Sequence, residues 1–259
     1  MSSTDASQHQ LRSLQALIRD EKFLVIGHRG AAGLAPENTL PSFQRAFNLG
    51  CQMVELDVHR LGVKANLTSG ANSKLAVLHD SNLKRTTNKT GLIENLSVKD
   101  LAEIDAGEGN PIPTLDQVIE LTRSITAAWI NVELKGKETA LATYQNLEQQ
   151  AFTKVLVSSF DHAQLFAYRA LDEHVPISPL FHRWNKNGIE TAQALSAFSI
   201  NLSLKIAKQA LVEEIRKSGF EVFVYTVNDP KVAARLYDYG VNGVFTDYPD
   251  RVTKDRVIG

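Results

Sequence analysis

The 259-residue sequence has a single cysteine, Cys51, which excludes an intramolecular disulfide and a thiolate metal centre and suits core packing. It has no excess of either charge. Twenty-eight Lys and Arg face 29 Asp and Glu, so no general field draws the chain to nucleic acid or to an anionic membrane, and any attraction for anions must be local. Long apolar runs are also missing: nothing approaches the roughly 18 consecutive apolar residues of a spanning helix. The amino-terminal stretch MSSTDASQHQLRSLQALIRDEK lacks the unbroken apolar core of a secretory signal, and its acids argue against a transit peptide. Together these absences point to a cytoplasmic protein with no nucleic-acid partner and no stable membrane insertion. No GxxxxGK[ST] loop occurs, and GEG at 107–109 is too short for a dinucleotide loop.

Apolar residues make up 43% of the chain, enough for a sizeable core. Leu11, Leu14, Leu17 and Ile18 recur at helical spacing, predicting an amphipathic segment over 1–22 that could close the bottom of a barrel. Beyond it, eight short β-branched runs (23–27, 53–58, 129–135, 154–160, 176–181, 198–203, 221–227 and 242–247) alternate with helical patterns, several stopping at Gly50, Gly219 or Gly240. That alternation predicts a parallel sheet covered by helices, and with eight units the natural closure is an α/β fold, a (β/α)8 TIM barrel over 23–252. Residues 253–259 form a tail. A ninth run, KLAVLHD at 74–80, follows the second strand too closely for a helical crossover, so about 59–112 reads as a small insertion after that strand. It would begin with an antiparallel excursion that returns His79 to the barrel mouth. The connection 61–74 is rich in Gly, Asn and Ser and lacks helical period.

In such a barrel the chemistry belongs at the carboxyl ends of the strands, and polar residues gather there. Glu55 and Asp57, two apart on a strand, share a face, and Glu133 on the next barrel strand reaches the same height. Three carboxylates so close need a cation or proton between them, and hard oxygen ligands favour Mg²⁺ or Ca²⁺, with Mn²⁺ possible, over Zn²⁺. Their other reading is charge pairing with Arg29 and Lys135. His28 and His79 suit proton transfer near neutral pH, and Arg29 and Lys135 suit a phosphate. His59 shares the face of Glu55 and Asp57, but one residue further carries the chain past the rim, so it is not counted as a ligand.

The motifs HRG (28–30), APENT (35–39), ELDV (55–58), LHD (78–80), LKRTTNKTG (83–91), IPTL (112–115), ELK (133–135) and FTDYP (245–249), in that order, resemble the glycerophosphodiester phosphodiesterase family from about residue 24 to 252. The resemblance implies a (β/α) barrel with an insertion after the second strand. It implies metal-dependent hydrolysis of a small-molecule glycerophosphodiester to glycerol 3-phosphate and an alcohol. Carried onto this chain, it makes His28 and His79 the acid–base pair, Glu55, Asp57 and Glu133 the metal ligands, and Arg29 and Lys135 the phosphate contacts. Family members commonly have Trp where this chain has Tyr225, which would then be the aromatic wall facing the glycerol. Three other readings compete: a phospholipase D-like or phosphoinositide-cleaving barrel acting on a lipid, a Schiff-base aldolase using Lys135, and a non-catalytic phosphate-binding barrel.

Overall fold

The structure, a computed structural model, describes residues 13–62 and 74–259. Leu11 and most of the 61–74 connection lie outside the described residues. Residues 13–21 are helical (α1). The barrel strands are β1 (Leu24–Gly27), β2 (Met53–Arg60), β4 (Trp129–Leu134), β5 (Val155–Ser159), β6 (Ile177–Phe181), β7 (Ser199–Ser203), β8 (Glu221–Tyr225) and β9 (Gly243–Thr246). They run parallel in the order β1-β9-β8-β7-β6-β5-β4-β2, and a β1–β2 pairing closes the ring. The eight-stranded barrel predicted from the alternation of runs is therefore the fold.

Local chemistry explains the outer helices α2 (Leu40–Asn48), α4 (Leu115–Arg123), α5 (Thr139–Gln150), α6 (His162–Leu171), α7 (Gly188–Ala194), α8 (Gln209–Lys217), α9 (Pro230–Asp238) and α10 (Lys254–Ile258). Thr39 caps α2 by accepting from the Ser42 amide, with Pro41 in the first turn, where a missing N–H costs nothing. Thr114 and Gln117 form a capping box on α4, and Asp229 precedes Pro230 at the start of α9. Gly50 ends α2 at φ +92°, a left-handed turn that disfavours a side chain. Among the described residues no helix is long and apolar enough to cross a membrane.

The apolar surface falls into three clusters. The largest fills the space between helices and sheet and includes buried Cys51, whose thiol burial pushes up to about 12. The second fills the lower lumen: Leu24, Ile26, Met53, Trp129, Leu156, Phe198, Phe223 and Phe245 point inward, and Leu14 and Ile18 of α1, one turn apart, pack onto them. The amino-terminal helix thus plugs the barrel floor, as its spacing suggested. The third belongs to the insertion, where β3 (Leu75–Val77), the short helix α3 (Val98–Leu101) and two 3₁₀ turns bury Leu78, Leu83, Ile93, Leu101 and Ile104 together.

β3 pairs antiparallel with the upper end of β2, in register Val58 with Val77 and Arg60 with Leu75. The excursion predicted for 74–80 is real and has one unforeseen effect. Because β3 supplies a partner beyond the barrel rim, β2 continues to Arg60 rather than ending near Asp57.

Candidate active site

The β1–α2 turn is fixed by Ser42, whose hydroxyl donates to the Arg29 carbonyl and accepts from the Ala31 amide, both at 2.9 Å. Gly30 sits at φ +84°, and a Cβ there would come within 2.5 Å of the Ser42 backbone. Arg29 itself is left-handed at φ +51°, an uncommon conformation held by that surrounding structure. The turn aims His28 and Arg29 over the mouth, and the Arg29 amide donates to Glu55 Oε2 at 2.9 Å.

Glu55 and Asp57 stand on β2 and Glu133 on β4, with Asp57 and Glu133 directly opposite in register. All three are buried, and each offers one oxygen within 4.8 Å of the others. Burial, reinforced by Asp57 and Glu133, raises the Glu55 carboxyl well above its usual range. Glu133 is raised to about 7 by burial and by the charge of Asp57. At Asp57 burial works in the same direction, but Lys135 and Arg29 outweigh it and hold the carboxyl below its usual value. Arg29 Nε lies 3.4 Å from Asp57 Oδ2, Asn38 Nδ2 donates to that same oxygen at 2.9 Å, and Lys135 Nζ lies 3.3 Å from Asp57 Oδ1 and 2.5 Å from Glu133 Oε1.

Both readings of the acids therefore meet in one place: they pair with Arg29 and Lys135, yet the pairing leaves them incompletely satisfied. Glu55 Oε1 is buried with no hydrogen-bond partner among the described residues, a costly state for a carboxylate. An all-oxygen, buried, convergent triad with an orphaned oxygen fits a metal ion.

Each histidine has a carboxylate on one ring nitrogen. His28 Nδ1 lies 2.7 Å from Asp247 Oδ1, and Asp247 is held in turn by Asn228, whose Nδ2 donates to Oδ2 at 2.7 Å. His79 Nδ1 lies 2.6 Å from Asp80 Oδ1. Burial lowers the affinity of His79 for its proton despite the nearby Asp57 and Asp80. His59 lies on the extended part of β2, buried, with Nε2 3.1 Å from the His79 carbonyl oxygen; it touches the backbone of the returning insertion and is not one of the triad.

A cavity of about 270 Å³ opens among these groups. Its charged side is Arg29, Glu55, Glu133 and Lys135; its apolar side is Phe160, Leu180, Tyr225 and Phe245. Phe160 and Tyr225 meet edge to face, with centroids 5.6 Å apart, and Lys135 Nζ sits 5.5 Å from the centre of the Phe160 ring. The Tyr225 hydroxyl is buried without a hydrogen-bond partner among the described residues. His28, Arg29, Glu55, His79, Glu133, Lys135 and Tyr225 thus line one pocket, and Asp57 lies behind it, within reach of Glu55 and Glu133. The same reasoning gave no role to Asp247, Asn228, Asp80, Arg85, Glu37, Asn38 or Phe160, although all but Asn228 and Phe160 lie inside the motifs it used.

Lys135 is a poor Schiff-base amine. Burial would lower its pKa, but Asp57 and Glu133 prevail and raise it, keeping the nitrogen an ammonium.

The glycerophosphoryl diester phosphodiesterase family model matches residues 28–251. The chain belongs to this family and is a phosphoric diester hydrolase. It is 30% identical to a glycerophosphodiester phosphodiesterase of Caldanaerobacter subterraneus subsp. tengcongensis, covering 88% of this chain and 96% of that protein. The glycerophosphodiester phosphodiesterase of Bacillus altitudinis is also 30% identical, over 90% of this chain and 97% of the relative. Among solved structures, a phosphodiesterase of Oleispira antarctica in complex with the product sn-glycerol-3-phosphate superposes with a TM-score of 0.81 at 28% identity, covering 91% and 97% of the two chains.

Proposed function

We propose that this phosphodiesterase hydrolyses glycerophosphodiesters to glycerol 3-phosphate and an alcohol, with Glu55, Asp57 and Glu133 holding Mg²⁺, Ca²⁺ or Mn²⁺. One observation carries the reading: two carboxylate-backed histidines and two fixed cations face the same small cavity as Glu55 and Glu133 of a buried, incompletely satisfied carboxylate triad. When bound, such a cation supplies positive charge against a phosphoryl oxygen. Arg29 and Lys135 add theirs, and together they suit a dianionic transition state inside a partly dry site.

With Asp247 and Asp80 on Nδ1, Nε2 is the ring nitrogen each histidine has for the substrate. One imidazole takes the proton of the attacking oxygen while the other gives a proton to the departing alkoxide. The Tyr225 ring and its hydroxyl suit the apolar and polar faces of the glycerol. The catalytic unit in this reading is 23–252, including the insertion at about 59–112, with 1–22 and 253–259 as appended segments.

The test is release of glycerol 3-phosphate from glycerophosphocholine by purified protein, with EDTA and with each metal restored, beside His28→Ala. Activity lost in EDTA, restored by a divalent cation and absent in the variant is the expected outcome. A folded protein inert with every metal would overturn the reading in favour of a lipid diester substrate.

A further inference from the structure

Arg85 has no part in the chemistry described above, yet its guanidinium occupies a singular position. It lies in the insertion, on the 3₁₀ turn Leu83–Arg85 that is capped by Asn82. Nε donates to Asp80 Oδ2 at 2.6 Å and Nη2 to Asp80 Oδ1 at 3.1 Å. The other edge of the same fork meets the β1–α2 turn, where Nη1 donates to Glu37 Oε2 at 2.8 Å and Nη2 to Glu37 Oε1 at 2.7 Å. Two carboxylates are thus gripped bidentately by one planar cation.

What those carboxylates do next is the important point. Asp80 Oδ1 is the partner of His79 Nδ1, at 2.6 Å. Glu37 Oε1 is the partner of Arg29 Nη1, at 2.8 Å. A single chain of charged contacts therefore runs from His79 through Asp80, Arg85 and Glu37 to Arg29, whose Nε then faces Asp57. Its two ends lie on different folding units, the insertion and the barrel.

We infer that Arg85 is a positioning residue that sets the proton-transferring His79 and the phosphate-holding Arg29 relative to each other. The inference rests on the roles given to His79 and Arg29 above.

A lone exposed ion pair contributes little, and the Arg85 side chain is 46% exposed. This one differs because its geometry is a double fork, which fixes orientation as well as charge. Removing it would leave Asp80 held only by His79 and Glu37 only by Arg29, two like charges without the cation they share. Each would then turn away and release the group it orients. Lysine keeps the charge but is a point donor and cannot hold both carboxylates in plane.

The two arms predict a split that a plain structural tie would not produce. Asp80→Asn acts mainly on His79, which Asp80 contacts directly, and should lower kcat on the order of 10²-fold with a smaller effect on KM. Glu37→Gln acts mainly on Arg29, which Glu37 contacts directly, and should raise KM on the order of tenfold with a smaller effect on kcat. Arg85→Ala should do both, and Arg85→Lys should recover melting temperature without recovering kcat. In long-range ¹⁵N spectra of the full chain, the His79 ring should change from one tautomer to a mixture in Arg85→Ala and Arg85→Lys but not in Glu37→Gln.

Wild-type kinetics and an unchanged His79 tautomer in Arg85→Lys would overturn the inference. So would losses that follow melting temperature in all four variants with no kcat-against-KM split. Should Arg85→Ala not fold, Arg85→Lys carries the test. Failure of the wild-type protein to cleave any glycerophosphodiester would remove the proposed reaction instead, and the tautomer measurement would still report on Arg85.

Discussion

Glu133 couples the site to pH. Its folded carboxyl titrates near 7, raised by burial and by Asp57 from an ordinary value of 4.5. A raised folded pKa means that the protonated form is favoured by folding. The stabilisation is complete below about 4.5, the unfolded value, and is lost as pH rises through 7. Metal-free protein should therefore lose thermal stability between about pH 5 and 7.5, and Glu133→Gln, which has no proton to lose, should make that slope shallower, leaving the share that comes from the raised Glu55. Divalent cation needs the ionised carboxylate, so its affinity should rise over the same interval with release of protons. Calorimetry in two buffers of different ionisation heat reads the proton count, and zero release would contradict the assignment. At this scale the sequence was uneven as a guide. Glu55, Asp57 and Glu133 were legible because strand period and neighbouring register place them by rule. The Asp247 support of His28 was not, because the two are 219 residues apart and only barrel closure brings them together.

Helix α1 bears on the barrel from below. Leu14 and Ile18 pack among Leu24, Met53 and Trp129, none of which lines the cavity. Leu14 is fully buried, so Leu14→Ala should cost about 3 kcal/mol from lost transfer and the void left behind. Urea denaturation should show that loss while kcat stays near wild type. A large fall in kcat at full folding would show that floor and site are coupled. The helix was readable from its apolar spacing, and so was the antiparallel return at 74–80, because a short connection rules out a crossover. The true end of β2 was not readable, because it depends on β3 satisfying backbone groups beyond the rim.

On the scale of the whole molecule the ring divides. The carboxylates, Arg29 and Lys135 that line the cavity lie on or just past β1, β2 and β4, with His79 delivered by the insertion, while β5, β6, β8 and β9 or the residues just past them contribute Phe160, Leu180, Tyr225 and Phe245, with His182 beside them. The alternation of runs made the eightfold closure legible but not this partition, since Phe160 reads as an ordinary strand residue until the barrel places it beside Tyr225. Phe160→Leu should change the ratio of kcat/KM between choline and ethanolamine diesters several-fold, as small changes in apolar pockets do, while metal affinity stays within about twofold. An equal loss on both diesters would show that the ring does not discriminate between them. If the partition holds, two properties of the enzyme are inherited separately: which bond it breaks belongs to one arc of the barrel, and which organic groups it accepts on either side of the phosphate to the other. A descendant can then acquire a new diet by rewriting the second arc while the first is copied unchanged.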